Sequence, residues 1–400
     1  MIVAASISCT GLVALPQAAS AAPATVPGCG TFDFEPVIYL EYVGQGGAGS
    51  GLGCPVGNSK TTGNGRARYH DFQNGSIYWN RLVANSQPAT VMNPIRDKWA
   101  NLNWENGFLG LPVNDTFPVY GSNGLLGAFN VFEGGAIFTS ALGTYEVHGQ
   151  ILSKMWEVGV QTIGLPMSDE QDFSNDGGKV TEFQQGQIYW WADTGPISIK
   201  GRIRVSYAGL HMHERTDDNF GGSKDEPYAI LSAVWPGTAN NKKTYNTPEY
   251  SLGDSNTDCE ENNAELYVGR PNGIELVSTV MEHDYGDKDA ARRKADEYAK
   301  KAADWVIGQV QAMGPIGLGI AKFGGPILRD AFREIGALLG GWFGDELVGT
   351  RNKLLTPKDM VKLAVAPRSV YDCIGYKVAS DQLEGYGGKY QTYFNITVVP

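Results

Sequence analysis

Three stretches in the N-terminal half alternate apolar and polar positions around a short turn. They read FQNGSIYWN from Phe72, FEGGAIFTS from Phe132 and FQQGQIYWW from Phe183. A half-buried strand has this period of two, and a short glycine-containing or polar turn joins two such strands. The pattern predicts three β-hairpins that each contribute an apolar face to a core.

Between the hairpins, apolar residues recur at helical spacing. Ile95 and Trp99 share one predicted helical face, and Ile151 and Trp156 share another. We expect these helices to end at Gly107 and Gly159, because glycine readily adopts the left-handed conformation that follows a helix.

A phrase containing glycine and proline precedes each hairpin. It reads SGLGCPVGN at 50–58, GFLGLPVND at 107–115 and TIGLPMSDE at 162–170. Gly and Pro fix a tight turn, and we expect Asp115 or Asp169 to accept backbone N–H bonds in the loop that follows. A unit of helix, turn and hairpin is predicted three times between Cys29 and about Ile203.

Residues 109–112, Asp115, the Gly134-Gly135-x-Ile137 turn and Trp156 resemble the LGFP repeat. The resemblance implies an exported actinobacterial protein, associated with the cell wall, whose repeats hold wall polysaccharide. Two departures affect the phrase: the Phe of the LGFP tetrad is replaced, and the first copy has Asn58 where the others have Asp. The replacements of Phe are Cys54, Leu111 and Leu165.

Aromatic residues of the first and third hairpins are the candidate glycan contacts, because an exposed ring can stack on the apolar face of a sugar. The alternative is that these rings form a core between repeats. The candidates are Tyr78, Trp79, Tyr189, Trp190 and Trp191.

From residue 204 to residue 400 the pattern changes to short strands. Apolar stretches at 201–214, 226–235, 264–269, 274–284 and 385–399 predict a β-sandwich. The predicted fold class is therefore α+β, with tandem helix and hairpin repeats at 25–203 followed by a β-sandwich that carries an inserted helical hairpin.

Acidic residues gather where these strands end. Crowded carboxylates repel one another unless a cation lies among them, and hard oxygen ligands favour Ca²⁺; a solvated acidic loop is the alternative. The predicted ligands are Asp217, Asp218, Asp225, Glu226, Glu282, Asp284, Asp287 and Asp345. The pattern resembles the calcium- and phospholipid-binding sandwich of the protein kinase C type, through Glu226-Pro227-Tyr228, Glu282-His283-Asp284 and Asp345 before Val348-Gly349.

An insertion at 288–343 predicts two helices. The first is amphipathic and the second is more apolar and rich in glycine. Two antiparallel helices packed on the sandwich are one interpretation, and a hairpin that contacts a membrane or lipid surface is the other. Charged residues such as Arg329 and Asp330 argue against stable spanning.

Other chemistry is weakly indicated. His211 and His213 share one strand face and, with His283 or Glu214, could hold zinc. There is no GxSxG nucleophile turn, and paired carboxylates occur in no distinctive context. The sequence therefore does not indicate an enzyme.

Charge and composition limit the classes of molecule that the protein is expected to bind. The net charge of −11 argues against nucleic acid, which needs a basic face. Abundant glycine with 11% aromatic residues is typical of surfaces that present rings to sugars.

The N-terminal residues 1–24 are apolar and close on Ala-Ser-Ala, which predicts an export signal; a lipid-modified Cys9 is the alternative. The remaining four cysteines are even in number, and we expect Cys29 to pair with Cys54 and Cys259 with Cys373.

Together these features predict a secreted, cell-wall-associated, non-enzymatic protein. Its repeats would bind wall polysaccharide, and a Ca²⁺-dependent sandwich would contact a second surface. The alternative is a membrane-active toxin or hydrolase domain that the repeats anchor to the wall.

Overall fold

The computed structural model describes residues 21–122, 124–174, 176–216, 225–236, 242–252, 257–258, 264–282, 297 and 346–400. The chain forms two compact units. The first ends at Ser153 and also contains Leu165–Asp169, and the second contains Lys154–Gly164 and Glu170–Pro400. The predicted helical insertion at 288–343 lies outside the described residues, apart from residue 297.

An antiparallel hairpin opens the described chain. Its strands β1 and β2 are Ala22–Val26 and Gly30–Phe34, and helix α1, Pro36–Gly44, follows. Pro36 lies in the first turn of α1, where its missing N–H removes no helical hydrogen bond. Strand β1 includes Ala22 and Ala24, which belong to the predicted signal segment.

Three four-stranded antiparallel sheets follow, and each is a simple meander. The first contains β3 Lys60–Thr61, β4 Ala67–Phe72, β5 Gly75–Asn80 and β6 Ala89–Met92. The second contains β7 Phe117–Gly121, β8 Gly124–Phe132, β9 Gly135–Ser140 and β10 Gly143–His148. The third contains β11 Gln171–Asp172, β12 Lys179–Phe183, β13 Gly186–Trp191 and β14 Gly195–Ile199. The three predicted hairpins are confirmed as the central strand pairs of these sheets.

Helices follow the first and second of these sheets along the chain. They are α2 Ile95–Asn101, α3 Gly149–Val158 and the one-turn α4 Val160–Ile163. The predicted end of α2 at Gly107 is wrong, because the helix ends at Asn101 and a 3₁₀ turn, Trp104–Asn106, follows it. Gly159 does follow α3 with a positive φ of 87°.

Trp156 was expected on the apolar face of α3, and this is wrong. Its side chain is 43% exposed, whereas the neighbouring Met155 is fully buried. Ile151 and Met155 lie four residues apart, so the buried stripe follows the helical period more closely than the pair chosen from the sequence.

In each phrase, the residue two positions before the proline must be glycine, because its φ is positive and a neighbouring side chain leaves no room for a Cβ. Gly53, Gly110 and Gly164 have φ values of 75°, 69° and 84°. A Cβ on Gly110 would lie 2.4 Å from the Glu133 carboxylate, which accepts the Leu111 N–H at 3.1 Å. Gln73 has the same relation to the first phrase, where its side-chain oxygen accepts the Cys54 N–H at 3.0 Å. Only glycine therefore allows the turn to fit beneath its own hairpin at this position.

The Asn or Asp three residues after the proline of each phrase joins the phrase to the strand that precedes it. A side-chain oxygen accepts a backbone N–H there in all three copies: Asn58 from Asp33 at 2.9 Å, Asp115 from Thr90 at 2.7 Å, and Asp169 from Glu146 at 2.9 Å. The sequence predicts these bonds in the following loop, whereas the structure places them on a strand earlier in the chain. The residue after the phrase adds backbone bonds in two copies, Ser59 N–H to Asp33 and Thr116 N–H to Thr90.

The first hairpin has a core on both faces. Phe72 and Ile77 pack with Ile38 and Tyr42 of α1. Tyr78, on the opposite face, packs with residues of α2, where its ring meets the Trp99 indole edge-on at 4.8 Å. A hairpin between two helices buries both sets of alternating side chains.

The cysteine prediction is confirmed in its first half, because Cys29 and Cys54 form a disulfide. This bond ties the turn between β1 and β2 to the first phrase. Cys373 is also disulfide-bonded, whereas Cys259 lies outside the described residues.

The C-terminal part contains two large antiparallel sheets. One contains β15 Arg202–Glu214, β18 Thr257–Asp258, β19 Glu265–Gly269, β24 Val378–Ala379, β25 Leu383–Gly385 and β26 Gly388–Val399. The other contains β16 Pro227–Val234, β17 Lys242–Asn246, β20 Ile274–Glu282 and β21 Glu346–Leu355. A small hairpin, β22 Ser369–Tyr371 and β23 Ile374–Tyr376, and helix α5, Pro357–Val365, complete the described elements.

One core joins these two sheets and also includes the third repeat. It contains Leu231 and Leu276 from one sheet and Val205 and Phe394 from the other. Tyr189 and Trp191 of the third repeat belong to the same core. The predicted sandwich therefore agrees with two sheets sharing one apolar interior, and the boundary predicted at residue 203 falls within this core.

Within the described ranges, no helix has the length and apolar character that crossing a bilayer requires.

We predict that Asp115→Ala lowers the free energy of unfolding by about 1–3 kcal/mol, because the Thr90 N–H loses its acceptor. Asp115→Asn should lose much less, since an amide oxygen does the same work at Asn58. Urea denaturation followed by tryptophan fluorescence measures both. Asp172→Ala is the control, because that carboxylate is 87% exposed and pairs with Lys179 at the surface. An Asp115→Ala loss no larger than that of the control would contradict the prediction.

Candidate functional site

Three of the five aromatic residues predicted to contact glycan are buried. Tyr78 is 5% exposed, and Tyr189 and Trp191 are each 1% exposed. Burial raises the pKa of the Tyr78 and Tyr189 hydroxyls above the usual range. A buried ring offers no face to a sugar, so these three residues are core and the assignment to the glycan site is corrected.

The physical reason is that both faces of these hairpins are covered. Alternation was expected to leave one face open to solvent. Tyr78 instead packs on Trp99, and Tyr189 and Trp191 pack in the C-terminal core. The Trp191 indole N–H donates to Asp176 at 2.9 Å, so its polar edge is also satisfied inside the protein.

Trp79 and Trp190 occupy the same position in the first and third hairpins, and both are only partly buried. Thr139 has this position in the second hairpin. The Trp79 indole N–H donates to the Ser86 carbonyl at 3.2 Å, which fixes the ring orientation. These two indoles are the predicted ring contacts that the structure leaves accessible.

A cation lies across the hairpin from each of these indoles. Arg68 is the cross-strand partner of Trp79, and Lys179 is the cross-strand partner of Trp190. Each cation is held by a carboxylate: Arg68 Nε donates to Glu35 at 3.0 Å, and Lys179 Nζ donates to Asp172 at 2.5 Å. Ala128 is the corresponding residue in the second repeat.

Sequence reasoning missed Arg68 and Lys179. The register of the hairpin turns contains the signal, because counting back from the turn pairs Arg68 with Trp79 and Lys179 with Trp190. An indole beside a charge-paired cation combines an apolar stacking face with N–H donors. This combination suits a hydroxylated or anionic sugar.

The predicted calcium ligands are only partly within the described residues. Asp217, Asp218, Asp284, Asp287 and Asp345 lie outside them. Glu226 and Glu282 lie at the same end of neighbouring strands, and the Glu282 carboxylate accepts the Glu226 N–H at 2.7 Å. Over the described ranges, no three His, Cys, Asp or Glu side chains come close enough to hold a metal ion.

The Asp225 carboxylate accepts hydrogen bonds from other groups of the protein. It is 2% exposed and accepts the Thr216 N–H at 2.9 Å and the Tyr390 hydroxyl at 2.6 Å. Thr216 Oγ1 and Arg215 Nε also donate to it, at 3.2 and 3.3 Å. Its contacts make Asp225 a structural residue that joins β16 to β15 and β26.

The zinc alternative loses one of its proposed ligands. Glu214 forms an ion pair with Lys389 at 2.8 Å, and His283 lies outside the described residues. His211 and His213 do lie together, with ring centroids 4.5 Å apart. Partial burial and the neighbouring His213 lower the pKa of His211, which keeps its ring neutral at neutral pH.

A buried carboxyl that the sequence did not single out lies on β20. Glu275 is 3% exposed and accepts a hydrogen bond from Asn352 at 2.5 Å through Oε1. Its Oε2 has no hydrogen-bond partner among the described residues. Burial raises the pKa of Glu275 to about 7.

Comparison with known proteins agrees with the geometry of the first and third repeats. Residues 52–107 and 163–214 match the LGFP repeat. Both stretches are LGFP repeats. Each match begins in a phrase and contains its hairpin, so both accessible indoles lie within LGFP repeats. The stretch between the two matches contains most of the second phrase, then its hairpin and then helix α3.

The LGFP repeats indicate a cell-wall-associated family of proteins. No curated protein matches the chain. Nothing in these comparisons supports the resemblance of the C-terminal domain to the kinase-C-type calcium sandwich.

We predict that Asp225→Asn lowers the melting temperature equally with and without Ca²⁺. The change weakens the acceptor of several buried hydrogen bonds, at a cost of about 1–3 kcal/mol. Differential scanning calorimetry in EDTA and in millimolar CaCl₂ measures both states. A Ca²⁺-induced rise in the wild type that Asp225→Asn abolishes would show instead that Asp225 is a ligand.

We predict that the free energy of unfolding decreases as the pH rises from about 4.5 to about 7, because Glu275 ionises. The folded state raises this pKa above its ordinary value of 4.5, so it binds the proton more tightly than the unfolded chain does. The loss approaches roughly 3 kcal/mol above pH 7 and is absent below pH 4.5. Glu275→Gln should remove this slope and stabilise the protein at pH 8, whereas Glu265→Gln, on an exposed residue, should leave it. Parallel pH profiles for the wild type and Glu275→Gln would contradict the assignment.

Proposed function

We propose that the protein is a non-enzymatic, cell-wall-associated binding protein whose LGFP repeats hold wall polysaccharide. The observation that carries the proposal is the recurrence of a partly exposed indole beside a charge-paired cation in both matched repeats. Trp79 with Arg68 forms the first site, and Trp190 with Lys179 forms the second.

Stacking and hydrogen bonding would act together at each site. The apolar face of a pyranose or furanose ring lies against the indole, and the guanidinium or ammonium group donates to its hydroxyls. An anionic sugar would gain more from the cation, because hydrogen bonds between charged groups are the stronger kind.

Two sites on one chain also favour a polymer over a free sugar. A polysaccharide presents the same ring many times, so binding at one repeat raises the effective concentration at the other if the glycan reaches both. Weak individual sites then give useful retention on an insoluble wall.

A second surface is proposed for the C-terminal domain. Calcium binding at its acidic end would involve Glu226 and Glu282, together with the acidic residues outside the described ranges. The helical insertion would place a membrane or lipid surface beside that end. Support for this part is the clustering of acidic residues in the sequence and the adjacency of Glu226 and Glu282.

We predict that Trp79→Leu combined with Trp190→Leu weakens binding to insoluble actinobacterial wall polysaccharide at least tenfold, about 1.4 kcal/mol. Leucine preserves apolar packing and removes the aromatic face. Co-sedimentation of the full chain measures retention; the full chain is needed because the third repeat shares a core with the C-terminal sheets.

Trp156→Leu is the matched control, because this indole is 43% exposed but belongs to helix α3 and not to a hairpin. Circular dichroism and melting curves establish that each variant is folded. Equal retention of the double variant and the wild type would remove the stacking sites from the proposal.

A further inference from the structure

The histidines of β15 form a cluster that the proposed function does not use. His211 and His213 are separated by one residue and therefore lie on the same face of the sheet. Their rings meet edge to face with centroids 4.5 Å apart. Leu210 and Met212 alternate with them and are fully buried in the core. The histidine pair is therefore on the outer face of the sheet, and both rings are only partly buried.

Two neutral oxygen atoms lie beside the imidazoles. Gln391 is the cross-strand partner of His211, and its Oε1 lies 3.3 Å from His213 Nε2. The Tyr371 hydroxyl lies 3.4 Å from His211 Nε2. Both distances exceed the usual length of an N–H···O hydrogen bond.

The oxygen-bearing residues are themselves held in place. Gln391 donates to the Ser380 carbonyl at 2.7 Å and accepts from the Tyr393 hydroxyl at 2.9 Å. The Tyr371 ring stacks on Tyr393 with centroids 5.8 Å apart. The turn that follows Tyr371 contains the disulfide-bonded Cys373. Outer hydrogen bonds and packing of this kind orient the groups that contact a metal.

The geometry points to a binding site for a divalent transition metal ion, with His211 and His213 as its two imidazole ligands. The Gln391 amide oxygen and the Tyr371 hydroxyl are the neighbouring oxygen donors, and water would complete the coordination.

The donor set selects the class of metal. Imidazole nitrogen suits Cu²⁺, Zn²⁺ and Ni²⁺, whereas Ca²⁺ and Mg²⁺ prefer carboxylate and carbonyl oxygen. In the described residues no third His, Cys, Asp or Glu joins the pair. The site is thus open, and unlike a closed structural zinc site it leaves positions for water or an external ligand. Affinity should follow the general order for divalent metals, with Cu²⁺ tighter than Zn²⁺.

The test uses the full chain without a polyhistidine tag, stripped with EDTA and then freed of chelator. Isothermal titration calorimetry with CuCl₂ and with ZnCl₂ should each give one saturable site, with Cu²⁺ the tighter. The Cu²⁺ electron paramagnetic resonance spectrum should show coordinated nitrogen. CaCl₂ should give no heat that either histidine variant alters.

His213→Gln and His211→Gln should each raise the Kd for Zn²⁺ at least tenfold while leaving the circular dichroism spectrum unchanged. His148→Gln is the matched control, because this histidine lies in the second repeat and pairs with Glu146. Absence of saturable binding below about 1 mM Zn²⁺ or Cu²⁺, a range too weak for a specific site, would overturn the inference. Binding that survives both substitutions, or is lost equally in His148→Gln, would also overturn it.

Discussion

The N-terminal architecture depends on one hydrogen bond that recurs in every copy of the phrase. A side-chain oxygen five residues after the turn glycine accepts a backbone N–H from the last strand of the preceding segment. In the second and third copies the bond is partly buried, so losing the acceptor there leaves an unsatisfied donor, which is costly. The glycine and the proline of the phrase shape the turn that precedes this oxygen, so each phrase connects its own repeat to the strand before it.

Local pattern predicted the hairpins and the long strands well because both depend on a period of two. The same pattern was a poor guide to which aromatic rings are accessible to solvent. The same period assigns alternate residues to two faces, but only tertiary contacts determine whether the second face meets water or another helix. Tyr78 and Trp79 are adjacent in sequence, but Tyr78 is buried against α2, whereas Trp79 is only partly buried against the core that contains α1.

Other elements were missed for different reasons. Strand β21 contains the charged residues Arg351 and Lys353. Because of this polar character the sequence pattern does not predict a strand here, although β21 pairs along its length with β20. Helix α5 had a readable signal: Thr356 and Asp359 form a capping box around Pro357. The structural role of Asp225 could not be predicted from the sequence, because its donor Tyr390 lies 165 residues away in the chain.

The third repeat differs from the others in what covers it. Its hairpin gives Tyr189 and Trp191 to the same interior as the C-terminal sheets, and surface ion pairs such as Lys358 with Asp193 add to the contact. An array of repeats normally needs a terminal element that hides the last apolar face from water. Here the sandwich fills that role. A further repeat inserted between the third copy and the sandwich would separate Tyr189 and Trp191 from the apolar interior that now buries them.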